Sequence, residues 1–256
     1  MKVTDIVPGS PCWTQLGTTD PEAAQRFYGG LFGWTAETDP NPEAGGYTIF
    51  SLNGSPCAAV APLMNPQQPV AWLISFATPD ADEAAAVAQK AGARLWMGPM
   101  DVMGAGRWAM LSDPTGAAFG LWQAKEFNGF AVVDEPGAFG WIDGSTRDVP
   151  GAVKFYKDTF GWQVWPSDDY PMVGLGGNMF GGLMNMGEMF PPEMPAHWNP
   201  YFVAADVDAT VAKARELGGE VVHAAEDVQM ENGPRIAVLR DPQGGVFGVF
   251  KPARMS

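Results

Sequence analysis

The sequence predicts an α+β protein with two copies of one domain, each built from paired βαβββ modules that form a curved, cup-shaped sheet. The main observation is an internal repeat: FYGGLFGW at 27–34 recurs as FYKDTFGW at 155–162, an offset of 128 in a chain of 256 residues. The same offset relates LSDPTGAAFGLW, which starts at Leu111, to LRDPQGGVFGVF, which starts at Leu239. A repeat of this length indicates duplication of a whole folding unit. We place the first domain at 1–124, a linker at 125–136 and the second domain at 137–256.

Each half contains two predicted helices, and each helix follows an aspartate that can cap it. Asp20 precedes Pro21, and Asp148 precedes the matching helix, with apolar residues at helical spacing behind both caps. Two further helices, rich in Ala and Val, are predicted to begin at Asp80 or Asp82 and at Asp206 or Asp208. Segments such as GGYTIFSLNGSPCAAV and GPRIAVLRDPQGGVFGVF predict antiparallel strands joined by turns.

Composition excludes several classes of partner. The chain has 29 acidic and 15 basic residues, and a net charge of -14 repels nucleic acid and anionic membranes. That charge favours a cationic ligand, or it only keeps the protein soluble. Apolar runs are too short to cross a bilayer and the first residues lack a signal-peptide pattern, so we expect a cytoplasmic protein. Cys12 and Cys57 are too few for a disulfide framework and are expected to be free thiols.

Two motifs that occur in register in both halves carry a family resemblance. The pattern FY-x3-FGW follows an Asp-capped helix start, and a DPxG turn precedes an F-G-hydrophobic strand. Together they resemble the vicinal oxygen chelate superfamily, which includes glyoxalases and bleomycin-resistance proteins, and the resemblance covers nearly the whole chain. Within it, the chain is similar to two-domain actinobacterial proteins of glyoxalase-like or hydroxylase type, several of which accompany aromatic polyketide pathways. The resemblance implies that each cup holds a metal or a ligand.

The metal ligands implied by that resemblance are missing from both halves. Metal-dependent members place a His seven residues before the capping Asp and a Glu seven residues after the Asp of the DPxG turn. Those positions are Trp13 and Gly120 in the first half, and Trp141 and Gly248 in the second. None of these side chains can ligate a metal, so we expect no metal and no cofactor. His197 and His223 are expected to be structural or surface residues.

Strand alternation identifies the residues that should face the cups. It places Trp13 and Gln15 inward in the first half, and Trp141 and Asp143 inward in the second. Asp143 could act as a general base, anchor a ligand amine or serve only as a structural hydrogen-bond acceptor. The glycines at the two Glu positions are expected to widen the cups.

Soft apolar residues complete the candidate ligand site. The chain has ten Trp and fourteen Met, and a Met-rich run covers 183–194. Aromatic faces and flexible thioethers suit a planar ligand, although packing of the core would also explain them. The candidate ligand-binding residues are Trp13, Gln15, Trp122, Trp141, Asp143, Met184, Met186, Trp198, Tyr201 and Phe250.

Three functional hypotheses follow from these observations. The first is a metal-free protein that binds a small aromatic, polyketide-like metabolite, either neutral or cationic, for sequestration, resistance or biosynthesis, with an oxygenase as a conceivable partner. The alternative is a glyoxalase-like lyase, hydroxylase or dioxygenase that uses Asp143 as acid or base, or a metal site in a different register. A purely structural module is the third. The oligomeric state stays open.

Overall fold

The first half of the chain forms two consecutive βαβββ modules. A computed structural model describes residues 1–3, 6–167, 170–188, 190–229 and 233–252. The first module comprises β1 (Pro11–Thr18), α1 (Pro21–Phe32), β2 (Thr35–Thr38), β3 (Thr48–Leu52) and β4 (Ser55–Pro62). The second comprises β5 (Ala71–Ala77), α2 (Ala81–Lys90), β6 (Arg94–Val102), β7 (Gly106–Ser112) and β8 (Ala118–Ala124).

The second half repeats this arrangement element by element. Its first module comprises β9 (Phe139–Thr146), α3 (Val149–Phe160), β10 (Gln163–Trp165), β11 (Met172–Leu175) and β12 (Asn178–Asn185). Its second comprises β13 (His197–Val203), α4 (Val207–Glu216), β14 (Glu220–Asp227), β15 (Arg235–Arg240) and β16 (Val246–Lys251).

Each half forms one open, eight-stranded sheet, so the predicted duplication and fold class are confirmed. The first sheet has the strand order β2-β3-β4-β1-β5-β8-β7-β6, and the second has the equivalent order β10-β11-β12-β9-β13-β16-β15-β14. The modules of each half join where β1 pairs antiparallel with β5 and β9 pairs antiparallel with β13. The central strands of both sheets therefore come from the first strand of each module.

The α-helices of the described residues all begin at an aspartate whose side chain accepts a backbone N–H of the first turn. Where the sequence left two possible starts, the caps are Asp80 and Asp206, whereas Asp82 and Asp208 lie in the first turn and pair with arginines. Each cap satisfies a donor that the helix itself leaves free. The four caps are Asp20, Asp80, Asp148 and Asp206.

The two halves pack together through the helical faces of their sheets. Tyr28 on α1 donates a hydrogen bond to Asp241 in the DPQG turn of the other half, and Tyr156 on α3 donates to Asp113 in the DPTG turn. The rings of both tyrosines lie in a shared cluster of buried aromatic residues. The concave face of each sheet therefore lies on the side opposite the core.

The segment predicted as a linker packs onto the first domain. Phe130 and Val132 are buried, and the N–H of Phe130 donates to the carbonyl of Cys12. Gly129 has a φ of +103°, and a Cβ there would lie 2.2 Å from the Cys12 oxygen, so the chain passes too close to β1 for a larger residue. We propose that the first domain ends at residue 124 and that the second begins at residue 137.

Both cysteines are buried free thiols. Burial raises the pKa of the Cys57 thiol to about 12 and raises that of Cys12 as well, which makes neither a nucleophile at neutral pH. In the part of the chain that the structure describes, the helices are too short or too polar to cross a membrane.

Candidate functional site

The first cup contains a hydrogen-bonded chain of neutral side chains on its floor. Trp13 and Gln15 lie on the cup face of β1, as strand alternation predicts. The indole Nε1 of Trp13 donates to the hydroxyl of Tyr47 at 2.7 Å, and that hydroxyl donates to Gln15 Oε1 at 3.3 Å. Burial raises the pKa of Tyr47, so its hydroxyl stays protonated.

The second cup has the same framework with a carboxylate in place of the amide. Trp141 Nε1 donates to Tyr170 at 2.8 Å and to Asp143 Oδ1 at 3.1 Å, and the Tyr170 hydroxyl donates to the same carboxylate oxygen. The Tyr201 hydroxyl, on the neighbouring strand β13, lies close enough to Asp143 to help lower the pKa of its carboxyl group. We call Trp141, Asp143, Tyr170 and Tyr201 the Asp143 cluster.

The electrostatics of the Asp143 cluster keep its tyrosines neutral. Burial raises the pKa of Asp143, and hydrogen bonds from Tyr170, Tyr201 and Trp141 offset only part of that rise. Burial and the neighbouring carboxylate raise the pKa values of Tyr170 and Tyr201 well above the ordinary tyrosine range. Among the described residues, no Lys, Arg or His forms an ion pair with Asp143. Asp143 is thus a half-buried residue on the cup floor, and the described donors around its carboxylate are neutral.

The glycines at the two expected Glu positions do not widen the cups, and that expectation was wrong. A Cβ on Gly248 would lie 2.1 Å from the Tyr201 ring, and a Cβ on Gly120 would lie 2.3 Å from Ser75 Oγ. Both distances are far below van der Waals contact. Glycine at these positions makes room for a side chain of the adjacent strand, so the space is filled.

The residues present do not fit the metal that the fold family implies. The two tryptophans at the His positions use their N–H groups on tyrosine hydroxyls, and Tyr201 fills the space beside Gly248. The described residues contain no group of three or more His, Cys, Asp or Glu side chains that could hold an ion. The histidines do not meet, because His197 lies on β13 and contacts the Pro195 carbonyl, whereas His223 pairs with Glu226 on the edge strand β14.

An aromatic side chain of the predicted linker closes one end of the first cup. Trp122, on the cup face of β8, donates through Nε1 to the carbonyl of Phe127 at 2.9 Å. The ring of Phe127 packs edge-on against Trp13, with 4.8 Å between ring centroids. In the second cup Phe250 occupies the position of Trp122, with its ring centroid 6.5 Å from that of Tyr201.

The two methionines predicted as ligand residues differ in their access to the second cup. Met184 pairs with Ser145 beside the Asp143 cluster and is partly buried. Met186 is fully buried, and its thioether accepts a hydrogen bond from Arg147. The same guanidinium donates to the Pro191 carbonyl at 2.7 Å, so Arg147 holds the Met-rich loop against the domain.

Trp198 does not face the cup, contrary to its inclusion among the candidate ligand residues. It pairs with Gly144 on the helical face of the sheet and donates through Nε1 to the Tyr156 hydroxyl at 2.7 Å. Trp72 makes the equivalent contact with Tyr28 in the first half. Trp198 therefore belongs to the core between the domains.

Sequence reasoning missed Tyr47 and Tyr170, which complete the two cup floors. They lie just before β3 and β11, but they are 123 residues apart instead of 128. The segment between the FGW motif and this tyrosine is five residues longer in the first half than in the second. A search at the fixed offset pairs Tyr47 with Leu175 and hides the match.

Comparisons with known families agree with the duplicated fold. Residues 12–121 match the Glyoxalase/Bleomycin resistance protein/Dioxygenase superfamily, and residues 141–250 match the Glyoxalase-like domain. Each match spans the eight strands of one sheet almost completely.

Relatives of known name cover nearly the whole chain. Anthracycline biosynthesis protein DauV from Streptomyces sp. (strain C5) and protein DnrV from Streptomyces peucetius are each 38% identical, over 97% of this chain and 95% of their own length. The protein named Putative glyoxylase CFP32 from Mycobacterium tuberculosis is 38% identical over 98% of both chains.

Solved structures share the fold at low sequence identity. The Mn(II)-bound glyoxalase from Novosphingobium aromaticivorans superposes with a TM-score of 0.68 at 15% identity, covering 96% of this chain and 83% of its own. The 2,3-dioxygenase LapB from Pseudomonas sp. KL28 gives a TM-score of 0.67 at 13% identity, with 98% and 94% covered. With two family domains in register and relatives aligned from end to end, this chain belongs to the glyoxalase, bleomycin resistance protein and dioxygenase superfamily, the vicinal oxygen chelate proteins.

Proposed function

We propose that the protein binds a small planar aromatic molecule in the cup of its second domain without a metal, and that Asp143 anchors this ligand. The observation that carries the proposal is the Asp143 carboxylate itself. It belongs to a half-buried residue on the floor of a concave sheet, its hydrogen-bond partners among the described residues are the neutral groups Trp141 and Tyr170, and the neutral Tyr201 hydroxyl lies nearby.

The charge of Asp143 favours a ligand that brings a cation or a hydrogen-bond donor. Neutral donors hold the carboxylate in place without cancelling its charge, and an ammonium group would supply the missing counter-charge. The net charge of -14 adds attraction for a cation over a longer range. A charge-assisted contact of this kind contributes about 1 to 3 kcal/mol to binding.

The walls of the second cup suit a flat apolar body. Tyr201 and Phe250 contribute aromatic surface, and Met184 contributes a flexible thioether beside the carboxylate. Burying about 300 Å² of a tricyclic ligand at about 25 cal/mol per Å² would contribute roughly 7 kcal/mol before association costs. One added polar contact then brings affinity to about the micromolar range.

The names of the relatives support the aromatic class of ligand. Two of them are named for anthracycline biosynthesis, and anthracyclines are fused-ring aromatic compounds. We therefore propose a role in sequestering or presenting such a metabolite, with an oxygenase as the partner enzyme that would act on it.

Calorimetric titration with a matched pair of ligands tests the proposal. We expect 9-(aminomethyl)anthracene, which carries an ammonium, to bind the wild type more tightly than the neutral 9-methylanthracene. Asp143→Asn should reduce the affinity for the ammonium compound by about 1 to 3 kcal/mol and leave that for the neutral compound unchanged. Gln15→Asn, at the matching position of the first cup, is the control and should change neither. Equal loss for both ligands, or no loss, would show that Asp143 is only structural.

A general acid or base is the second candidate role for Asp143, and its raised pKa favours this role. A carboxyl group whose pKa moves toward neutrality exchanges protons more readily near the working pH of an enzyme. In that case Asp143→Asn should leave ligand affinity nearly intact and abolish conversion of the ligand, followed by mass spectrometry. Native mass spectrometry of the purified protein would identify the molecule to use.

A further inference from the structure

The first cup contains a buried hydrogen-bond donor without a partner. Trp108 lies on the cup face of β7, and its Nε1 is enclosed without any hydrogen-bond acceptor among the described residues. The atom lies 2.9 Å from the position that a Cβ on Gly120 would take, and Ser75 Oγ lies 2.3 Å from the same position. An indole N–H and a hydroxyl therefore converge above Gly120, on the floor of the cup.

Two methionines of the adjacent strand β6 lie beside the segment of β7 that carries this donor. Met97 pairs with Met110, and Met100 pairs with Trp108, across β6 and β7. Met97 is 38% exposed and Met100 is 46% exposed, and the register of β6 against β7 shifts between them. Thioether side chains have three flexible torsions and adapt to a planar partner, so they can shift to admit a ligand that reaches the enclosed nitrogen.

The second cup lacks all of these features at the matching positions. In the first half, Trp108 pairs with Trp122 and Met110 pairs with Gly120. In the second half, Ile236 and Val238 take the places of Trp108 and Met110, opposite Phe250 and Gly248. Tyr201 on β13 pairs with Trp141, just as Ser75 on β5 pairs with Trp13. Tyr201 therefore takes the place of Ser75 in the second half. A core-packing requirement common to both halves would not produce this difference.

We infer that the first cup is a second binding site, for a neutral planar molecule that presents a carbonyl oxygen to the N–H of Trp108. A buried donor without a partner is costly, and a ligand acceptor would remove that cost. Phe127 and Trp13 supply aromatic surface at one end of the cup, and the methionines supply the wall at the other. The two cups would then select opposite chemistry, because the indole N–H needs an acceptor and the Asp143 carboxylate needs a donor. This inference does not depend on ligand binding in the second cup.

The experiment compares 9-fluorenone with fluorene, which has the same flat shape but no carbonyl. We expect wild-type protein to bind fluorenone about three to ten times more tightly than fluorene, as one neutral hydrogen bond predicts. Trp108→Phe keeps an aromatic ring at this position but removes the indole N–H. It should therefore lower the affinity for fluorenone to that for fluorene. Arg26→Ala, on the exposed face of α1 and outside both cups, serves as the control and should leave fluorenone binding unchanged.

The indole N–H resonances provide a readout that does not need a stable variant. In protein labelled with 15N at tryptophan, fluorenone should shift the Trp108 Nε1–H signal strongly downfield, and fluorene should not. Equal affinity of the wild type for both ligands would overturn the inference, as would a Trp108 signal that responds equally to both. Unchanged fluorenone affinity in Trp108→Phe would overturn it as well.

Discussion

The hydroxyl of Tyr28, on the first helix of the first half, lies 2.9 Å from Asp241 Oδ2 in the last turn of the second half. The reverse contact joins Tyr156 to Asp113 Oδ2 at 3.0 Å. Each DPxG aspartate also accepts backbone N–H groups of its own turn, so one carboxylate both shapes a turn and receives a helix from the other domain. The aromatic cluster between the sheets surrounds both pairs.

Tyr28→Phe should destabilise the whole chain, because it removes the hydrogen bond that the buried Asp241 carboxylate accepts from the other half. We expect a loss of about 1 to 3 kcal/mol in the free energy of unfolding, measured with urea. Tyr156→Phe should cost a similar amount, and both variants should unfold in a single transition. A variant in which only the mutated half unfolds early would show that the interface does not couple the domains.

Asp143→Asn should change how stability depends on pH. The folded-state pKa of Asp143 is raised above the unfolded value of about 4. The stabilisation that the protonated carboxyl group gives to the folded state is therefore complete below about pH 4 and is lost as pH rises through the folded pKa. The stability of the wild type relative to Asp143→Asn should therefore fall with rising pH across this window and then level off. Asp82→Asn is the opposite control: Arg107 lowers the pKa of Asp82, so that carboxylate stabilises at higher pH. A flat difference curve for Asp143→Asn would contradict the burial that we assign to its carboxyl group.

Gly248→Ala should destabilise the second domain, because the added methyl group would overlap the Tyr201 ring. The expected cost is about 1 to 3 kcal/mol, typical of overpacking. The double variant Gly248→Ala with Tyr201→Ala should be less destabilised than the sum of the two single changes by about 1 kcal/mol or more. Additive losses would mean that the ring and the glycine do not compete for one space.

Arg147→Ala should release the Met-rich loop without unfolding the domain. Arg147 donates to the thioether of Met186 and to the carbonyl groups of Phe190 and Pro191. Removing a charged donor should speed backbone hydrogen exchange around Met186 by roughly tenfold or more, measured by mass spectrometry. The exposed Arg26, whose pair with Glu22 on α1 spans 4.0 Å, is the control and its replacement by Ala should have no such effect. Unchanged exchange near Met186 would show that the loop is held by packing alone.

Local rules of sequence were sufficient to predict the duplication, the helix caps Asp20 and Asp148, and the inward direction of Trp13 and Asp143. Each depends on a periodicity or on a cap a few residues away, which a single sequence displays. The same alternation could have excluded Trp198, since its neighbour Asn199 pairs with Asp143 on the cup face.

The partners inside the cups depend on contacts that the sequence does not display. Tyr170 meets Asp143 across 27 residues, and a shortened loop removes it from the repeat register. The empty space expected at Gly248 is filled because Tyr201, on the adjacent strand, is large enough to occupy it. Such fits are decided by the shapes of side chains brought together by the fold.

The crossed tyrosine–aspartate pairs have a consequence for the history of the chain. A single-copy ancestor with one helix and one DPxG turn would have needed a second, identical polypeptide to satisfy the same two contacts, with a strength that varied with protein concentration. Joining the copies through residues 125–136 makes that association intramolecular and independent of dilution. Once both copies were encoded together, each cup could change its own residues, as Gln15 and Asp143 did, while the shared core stayed the same.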